Sequence, residues 1–385
     1  MKGTILFVSL FYILLSSIQA LAGSKPSTLK LSGDYKNETD KPNITKADFG
    51  ETEGQKIYQY TLTNSKGMVV KVINYGASIT DILTPDKNGK LGSVVLGFDS
   101  LKSYTGWMNA LMGACVGRIA GRISNKRFTL DGKEYNLSSM IHGGVLGFHK
   151  RIWEIMEING NKEIALKLSY FSKDGEEGFP GNLKVTVTYC LTNNNELKIN
   201  YLATTDKATP VVLTNHTYFN LSGGKVAKVL NTELTILADR YLEDTKDIIP
   251  TGKILNVKGT PFDFTAPKLI GEGIEKTNMG NGYDLTYVLR NSTVRLSLIA
   301  SAYEPLTGRV MDVYTTEPGL VFYTGNHLND KITGRYGKPM AKNGAFCLET
   351  QHFPDSPNRP EFPNTILRPC ETFKSHTVYK FSVRK

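Results

Sequence analysis

Cysteine is scarce in this chain and is never closely paired. Four residues, at 115, 190, 347 and 370, are spread over 385 positions with no CxxC spacing, which excludes a small disulfide scaffold and the usual zinc-binding arrangement. Cys115 and Cys347 fall inside apolar, strand-like runs, where a thiol behaves as a small hydrophobe, so buried free thiols are expected. Long hydrophobic runs are lacking as well. The longest, Ile5 to Leu15, falls short of the ~20 residues that cross a bilayer. No nucleotide-binding glycine loop and no repeat of fixed period occur, which disfavours nucleotide chemistry and a propeller. Helical apolar stripes of ordinary length are absent, which disfavours parallel α/β folds. Basic residues never cluster either. The formal charge of +10 is scattered along the chain, the pattern of a solvated surface rather than a nucleic-acid face.

The N-terminal run has the flanks of a targeting segment. Lys2 precedes it, Ser16-Ser17 follow, and Ala20-Leu21-Ala22 fits the small-x-small pattern of signal peptidase, so residues 1–22 read as a signal peptide cleaved after Ala22. That places the protein in the secretory pathway, extracellular, with no membrane span after cleavage. Losing Lys2 lowers the charge from +10 to +9. Residues 23–50 are polar, with Lys and Pro and acceptor sequons at Asn37 and Asn43. Such a stretch buries too little apolar surface to offset its ordering entropy, so a flexible, glycosylated leader is expected. Residues 51–385 form the remaining domain.

Within that domain, short runs rich in Val, Ile, Thr and Tyr alternate with turn residues. "KIYQYTLTN", "LKVTVTYCLTN", "ELKINYLATT" and "VRLSLIASAYEP" are representative. Asn64-Ser65-Lys66-Gly67, Asp86-Lys87-Asn88-Gly89, Asp131-Gly132 and Asn193-Asn194-Asn195 supply hairpin and turn chemistry between them. The fold class is therefore all-β, a large sandwich of mostly antiparallel sheets.

Chemistry is sought in polar residues embedded in apolar strands. In "AFCLETQHFPD", Glu349 ends an apolar strand and leads into a loop of prolines and aromatics; a carboxylate there must find partners or surrender its charge. "TPVVLTNHTYFNLSGG" places His216 in phase with Val212 and Thr214. "SMIHGG" puts His142 before two glycines, "ACVGRIAGRIS" puts Arg118 and Arg122 at a strand end, and "GNGYDLTYVL" sets Asp284 after a glycine-rich turn. Taken alone, a strand histidine such as His216 is more often a hydrogen-bonded structural residue than a catalytic one.

Together, "VGRIAGRI", "LDGKEYNL", "IHGGVLGF", "DGEEGFPG", "TPVVLTNHTYFNLSG", "YTTEPGLVFYTGN", "FCLETQHFPD" and "LRPCETF" resemble the aldose 1-epimerases, the galactose mutarotase family, in matching order over roughly residues 50 to 384. The resemblance implies a galactose mutarotase-like supersandwich that interconverts α and β anomers of free aldohexoses. It implies no cofactor and no metal, and a small-molecule aldose as the partner of a monomer or weak dimer. By the same resemblance His216 is the general acid and Glu349 the general base. Arg122, His142 and Asp284 hold sugar hydroxyls, Tyr218 forms a wall beside His216, and Glu317 belongs to the substrate site. Phe179 and Phe353 join Tyr218 as candidates for stacking on the pyranose face.

The chemistry asks for these residue types. Pyranose opening needs a base for the anomeric hydroxyl proton and an acid for the ring oxygen; rotation about C1–C2 and reclosure with exchanged roles complete the conversion.

Three features depart from the family pattern. Gly121 stands where asparagine is common, the segment between Leu137 and His142 is short, and Glu317 stands where glutamine is common. If Glu317 lay near Glu349, like-charge repulsion would raise the pKa of the pair. Two other readings remain open: a sugar-binding protein with weak turnover, and a sugar-phosphate epimerase, for which Lys150-Arg151 is the nearest basic pair. Sequons at Asn136 and Asn291 suit loops, whereas those at Asn215 and Asn220 fall in the active strand and are expected to be buried and unmodified.

Overall fold

The computed structural model describes residues 41–106, 109–160, 163–277, 280, 282–290 and 295–385. The signal peptide, residues 23–40 of the leader and the sequons at Asn37 and Asn291 lie outside the described residues.

The described chain begins with five strands: β1 (Asn43–Thr52), β2 (Gln55–Thr63), β3 (Val69–Ile73), β4 (Ser78–Pro85) and β5 (Leu91–Ser93). A short helix, α1 (Leu101–Thr105), is the sole α-helix among the described residues. There follow β6 (Cys115–Val116), β7 (Arg127–Leu130), β8 (Lys133–Asn136), β9 (Glu154–Asn159), β10 (Glu163–Ser172), β11 (Leu183–Thr192) and β12 (Glu196–Thr205). Next come β13 (Thr209–Pro210), β14 (Thr214–Asn215), β15 (Glu233–Ile236), β16 (Arg240–Asp244), β17 (Pro250–Asn256) and β18 (Lys268–Leu269). The chain closes with β19 (Asp284–Val288), β20 (Ser297–Glu304), β21 (Arg309–Thr315), β22 (Gly319–Tyr323), β23 (Cys347–Gln351), β24 (Ile366–Leu367) and β25 (Phe373–Val383).

These strands form three main sheets. One runs β1-β2-β3-β4-β5, the widest β18-β15-β20-β21-β25-β12-β11-β10-β9, and the third β17-β16-β19-β22-β23. The strand-to-strand pairings are antiparallel, as the sequence pattern implied. Alternation explains the layering: along β12, Leu197, Ile199, Tyr201 and Ala203 are buried while Leu202 and Thr204 face outward. One contiguous core joins Leu62 and Val70 of the first sheet, Val185 and Val187 of the second, and Leu320 and Phe322 of the third. At ~1.5–3 kcal/mol for each fully buried side chain of this size, that core dominates the stability of the sandwich.

The leader is shorter than expected. Residues 43–50 belong to β1, paired with β2 from Asn43↔Thr63 to Thr52↔Gln55, so the flexible-leader reading does not hold for them. Their polarity misled because β1 is an edge strand whose side chains are mostly exposed. It is held by backbone pairing and by contacts such as Lys46 Nζ, 3.7 Å from the Tyr58 ring centre. Cys115, Cys190 and Cys347 are buried free thiols, and Cys370 is exposed.

Candidate active site

The site is built on one face of the third sheet. Side chains directly opposite in an antiparallel pair share a face, and the register places Asp284 opposite Tyr323, Val321 opposite Glu349 and Tyr323 opposite Cys347. Leu320, Phe322 and Leu348, between them in sequence, turn into the core. Glu349 is thus at the centre of β23 rather than at a strand end, fixed by pairing on a buried strand. The facing wall comes from three other segments. His216 directly follows β14 and is tied by its backbone N–H to the Ala114 carbonyl at 2.9 Å. Arg122 and His142 come from the stretch after β6 and the HGG turn.

Arg122, His142, His216, Tyr218, Asp284 and Glu349 all line one cavity of about 260 Å³. The short segment before His142 does not keep it away: its ring centre is 5.5 Å from that of His216, and its Nδ1 accepts the Gly121 N–H at 3.3 Å. Gly143, in the left-handed region at φ 78°, lies so close to the Gly117 carbonyl that a Cβ has no room. Gly121, at φ 85°, would bring a Cβ to 2.9 Å from Pro354. Four other lining residues, Ala110, Leu111, His142 and Ile248, also hold positive φ, so backbone strain gathers around this cavity.

His216 and Glu349 face each other with Nε2 3.6 Å from Oε1, both buried. Glu349 Oε2 is buried without a hydrogen-bond partner. Burial, reinforced by Asp284 and opposed by Arg122, holds the Glu349 carboxyl well above its ordinary range. Burial also pulls His216 down to about 4, and His142 falls well below the usual range for burial and the nearby His216, His149 and Arg122. Both shifts run toward the uncharged forms, so the pair is suited to pass one exchangeable proton between imidazole and carboxyl. Tyr218 stacks on the His216 ring at 4.9 Å and 21°.

The atoms of His216, Cys347 and Glu349 that could ligate a metal lie within 4.8 Å of one another. The two flanking residues approach opposite nitrogens, however: Nδ1 is 3.5 Å from Cys347 Sγ, while Nε2 faces Glu349. A neutral imidazole with a separate partner at each nitrogen is also the layout that proton exchange at one nitrogen requires.

Some expected site residues fall elsewhere. Glu317 does not line the cavity; it is buried against His352, whose Nδ1 is 2.6 Å from its carboxylate. The electrostatic neighbours of Glu349 are Asp284 and Arg122, not Glu317. Phe179 packs with Phe128 and Phe353 with Phe362, both as core. Arg118 is buried away from the cavity. Among the described residues Arg122 is the one lysine or arginine lining it, and Arg151 is turned toward Glu176 and Glu177 at 3.6 and 3.8 Å, so no basic cluster for a sugar phosphate forms. Sequence reasoning missed Asp244, His327, Tyr323 and Gln351, which also line the cavity. Burial and the neighbouring Asp284, against Arg122, push Asp244 up to about 7. Asn215 and Asn220 are buried and hydrogen-bonded to the Gly113 and Gly344 carbonyls at 2.9 Å, as expected of sequons inside the site strand.

A family model described as Aldose 1-epimerase matches residues 58–380. The chain belongs to the aldose 1-epimerase family. It is an isomerase, and its activity is mutarotation. Rat galactose mutarotase is 40% identical over 348 residues, which cover 89% of this chain and 99% of the rat protein. The aldose 1-epimerase of Escherichia coli K12 is 39% identical over 339 residues, 86% of this chain and 96% of its own. Among solved structures, an aldose epimerase homologue from C. elegans superposes with a TM-score of 0.77 at 28% identity, covering 89% of this chain and all (100%) of that one. The sandwich read from the sequence is thus the family fold.

Proposed function

We propose that this aldose 1-epimerase acts on free aldohexoses such as galactose and glucose, with Glu349 and His216 as the proton-transfer pair. With the exchangeable proton on His216 Nε2, the Glu349 carboxylate removes the anomeric hydroxyl proton while that Nε2–H protonates the ring oxygen; the ring opens with the exchangeable proton now on Glu349, and the two exchange roles after rotation about C1–C2. Arg122, His142 and Asp284 hold sugar hydroxyls, and Tyr218 fixes the plane of His216. The supporting observation is the 3.6 Å approach of His216 Nε2 to Glu349 Oε1 on the wall of a cavity shared with those three residues. Because the pair needs one proton between them, the assignment of acid and base inverts when the ring recloses, as reversibility requires.

Polarimetry of freshly dissolved α-galactose and α-glucose with residues 23–385 tests this reading. Acceleration of mutarotation by the wild type and its loss in Glu349→Gln are expected; binding of sugar without acceleration by the wild type would overturn it.

We also propose that the protein enters the secretory pathway and is extracellular, on the strength of the Lys2, Ile5–Leu15 and Ala20-Leu21-Ala22 pattern. N-terminal sequencing of protein from expressing cells should begin at Gly23. A retained Met1 would contradict it.

A further inference from the structure

The imidazole of His216 is gripped at both nitrogens by one strand. Cys347 and Glu349 are two residues apart in β23, so their side chains leave the same face. The ring spans that interval, with Nδ1 3.5 Å from Cys347 Sγ and Nε2 3.6 Å from Glu349 Oε1. Tyr218 covers one face of the ring, while His142 and Tyr323 present edge-on contacts at 5.5 and 6.2 Å between ring centres. Turning the ring over would bring a carbon edge to each partner.

A histidine that both gives and takes a proton at one nitrogen must keep a proton on the other throughout. With Nδ1 bare, loss of the Nε2 proton would leave an imidazolate, which is out of reach at ordinary pH. Nε2 is the nitrogen that faces Glu349; Nδ1 must therefore hold the permanent proton, and that N–H needs an acceptor in a buried setting. Two acceptors are at hand: the backbone carbonyl of His216 itself and the sulfur of Cys347, which lies 0% exposed. Burial, with Glu349 and Asp284 nearby, holds the thiol protonated, so the sulfur is a neutral, weak acceptor.

We propose that Cys347 is a positioning residue: its sulfur accepts the Nδ1–H of His216 and fixes the tautomer in which Nε2 exchanges protons with the sugar. The inference rests on the reading of His216 and Glu349 as the proton-transfer pair. No bond to sulfur forms and none of its protons moves during turnover; the Nδ1 proton stays in place while the Nε2 proton is traded. Other titratable groups face the ring: His142, His149, Tyr218 and Tyr323 lie around it and Glu349 faces Nε2, while the side-chain atom at hydrogen-bond distance from Nδ1 is Cys347 Sγ.

The experiment compares wild type, Cys347→Ser and Cys347→Ala by polarimetry across pH and by ¹⁵N chemical shifts of the His216 ring, assigned by difference against His216→Asn. Cys347→Ala should lower kcat about tenfold with KM nearly constant, the scale of one lost hydrogen bond in the transition state, and shift the ring toward a mixture of tautomers. Cys347→Ser, a stronger acceptor, should restore most of kcat and move the acid limb of the pH profile upward. A wild-type ring protonated at Nε2 and bare at Nδ1 overturns the proposal even if a variant fails to fold. Equal losses in both variants with an unmoved acid limb overturn it too, since packing alone would act that way. Absence of mutarotation in the wild type would refute the catalytic reading instead, and the nitrogen shifts would still decide the role of Cys347.

Discussion

Two buried ionisable side chains, Arg118 and Glu349, sit in this sandwich under opposite terms. Arg118, 1% exposed, donates five hydrogen bonds: to the Ser172 hydroxyl and carbonyl, the Lys173 and Pro180 carbonyls and the Thr209 hydroxyl, all at 2.8 to 3.2 Å. Burial lowers it only to about 10, so it stays charged and fully engaged. Glu349, 3% exposed, has an oxygen with no partner and a carboxyl held well above its ordinary range. Arg118 ties strands together; Glu349 is left short of partners, facing a cavity. A buried ionisable group that is satisfied belongs to the fold, and one that is not is available for a substrate.

That contrast can be broken or sharpened by substitution. Glu349→Gln should lower kcat/KM by about 10³ or more, since it removes one of two concerted proton carriers; steady-state polarimetry reads it, and retention of a tenth of the activity would break the contrast. Arg118→Met should do the reverse. Stripping donors from five acceptors, four of them in buried hydrogen bonds, costs about 3 kcal/mol, seen as a lower urea midpoint, while the folded fraction keeps its turnover. Next in size is the pH profile of kcat/KM. It should fall below about 4, where His216 gains a second ring proton and the pair carries two exchangeable protons. It should fall again on the alkaline side, where Glu349 loses its proton above a raised pKa and the pair carries none.

A smaller effect concerns stability. The unfolded chain ionises Glu349 in the ordinary carboxylate range, while the native state resists ionisation, so this side chain weakens the fold at pH 7 and not below that range. Glu349→Gln should accordingly raise the melting temperature by about 2 °C at pH 7, with the gain vanishing in acid. Smallest is Glu317→Gln. Its partner is His352 rather than Glu349, so the acid limb should stay where it is; an upward or downward move would restore the coupling that the sequence suggested.

How much could be read in advance varied with the physical setting of each residue. His216 and Glu349 stood out because polar side chains in apolar strands demand a reason, and the two-residue alternation of β19, β22 and β23 carries Glu349 to the face it shares with Asp284 and Tyr323. Asp244 was invisible because "RYLEDTKD" looks like an ordinary charged hairpin; its carboxyl becomes unusual only when folding buries it and sets it beside Asp284. Glu317 was misplaced for a related reason. It lies in the turn between β21 and β22, where strand alternation does not dictate direction, and its burial partner comes from the segment after β23. Residues 43–50 were read as leader because an exposed edge strand has no apolar stripe to announce it. Phe179 and Phe353 show the limit of composition: an aromatic beside a glycine or proline packs into core as readily as it lines a sugar cleft.

The sharing of one proton by residues 216 and 349 is tested most directly by following the optical rotation of fresh α-galactose with wild type, His216→Asn, Glu349→Gln and the double variant. Each single change should cost nearly as much as the double, because either group alone leaves the proton without a partner. Independent, multiplying losses would contradict it.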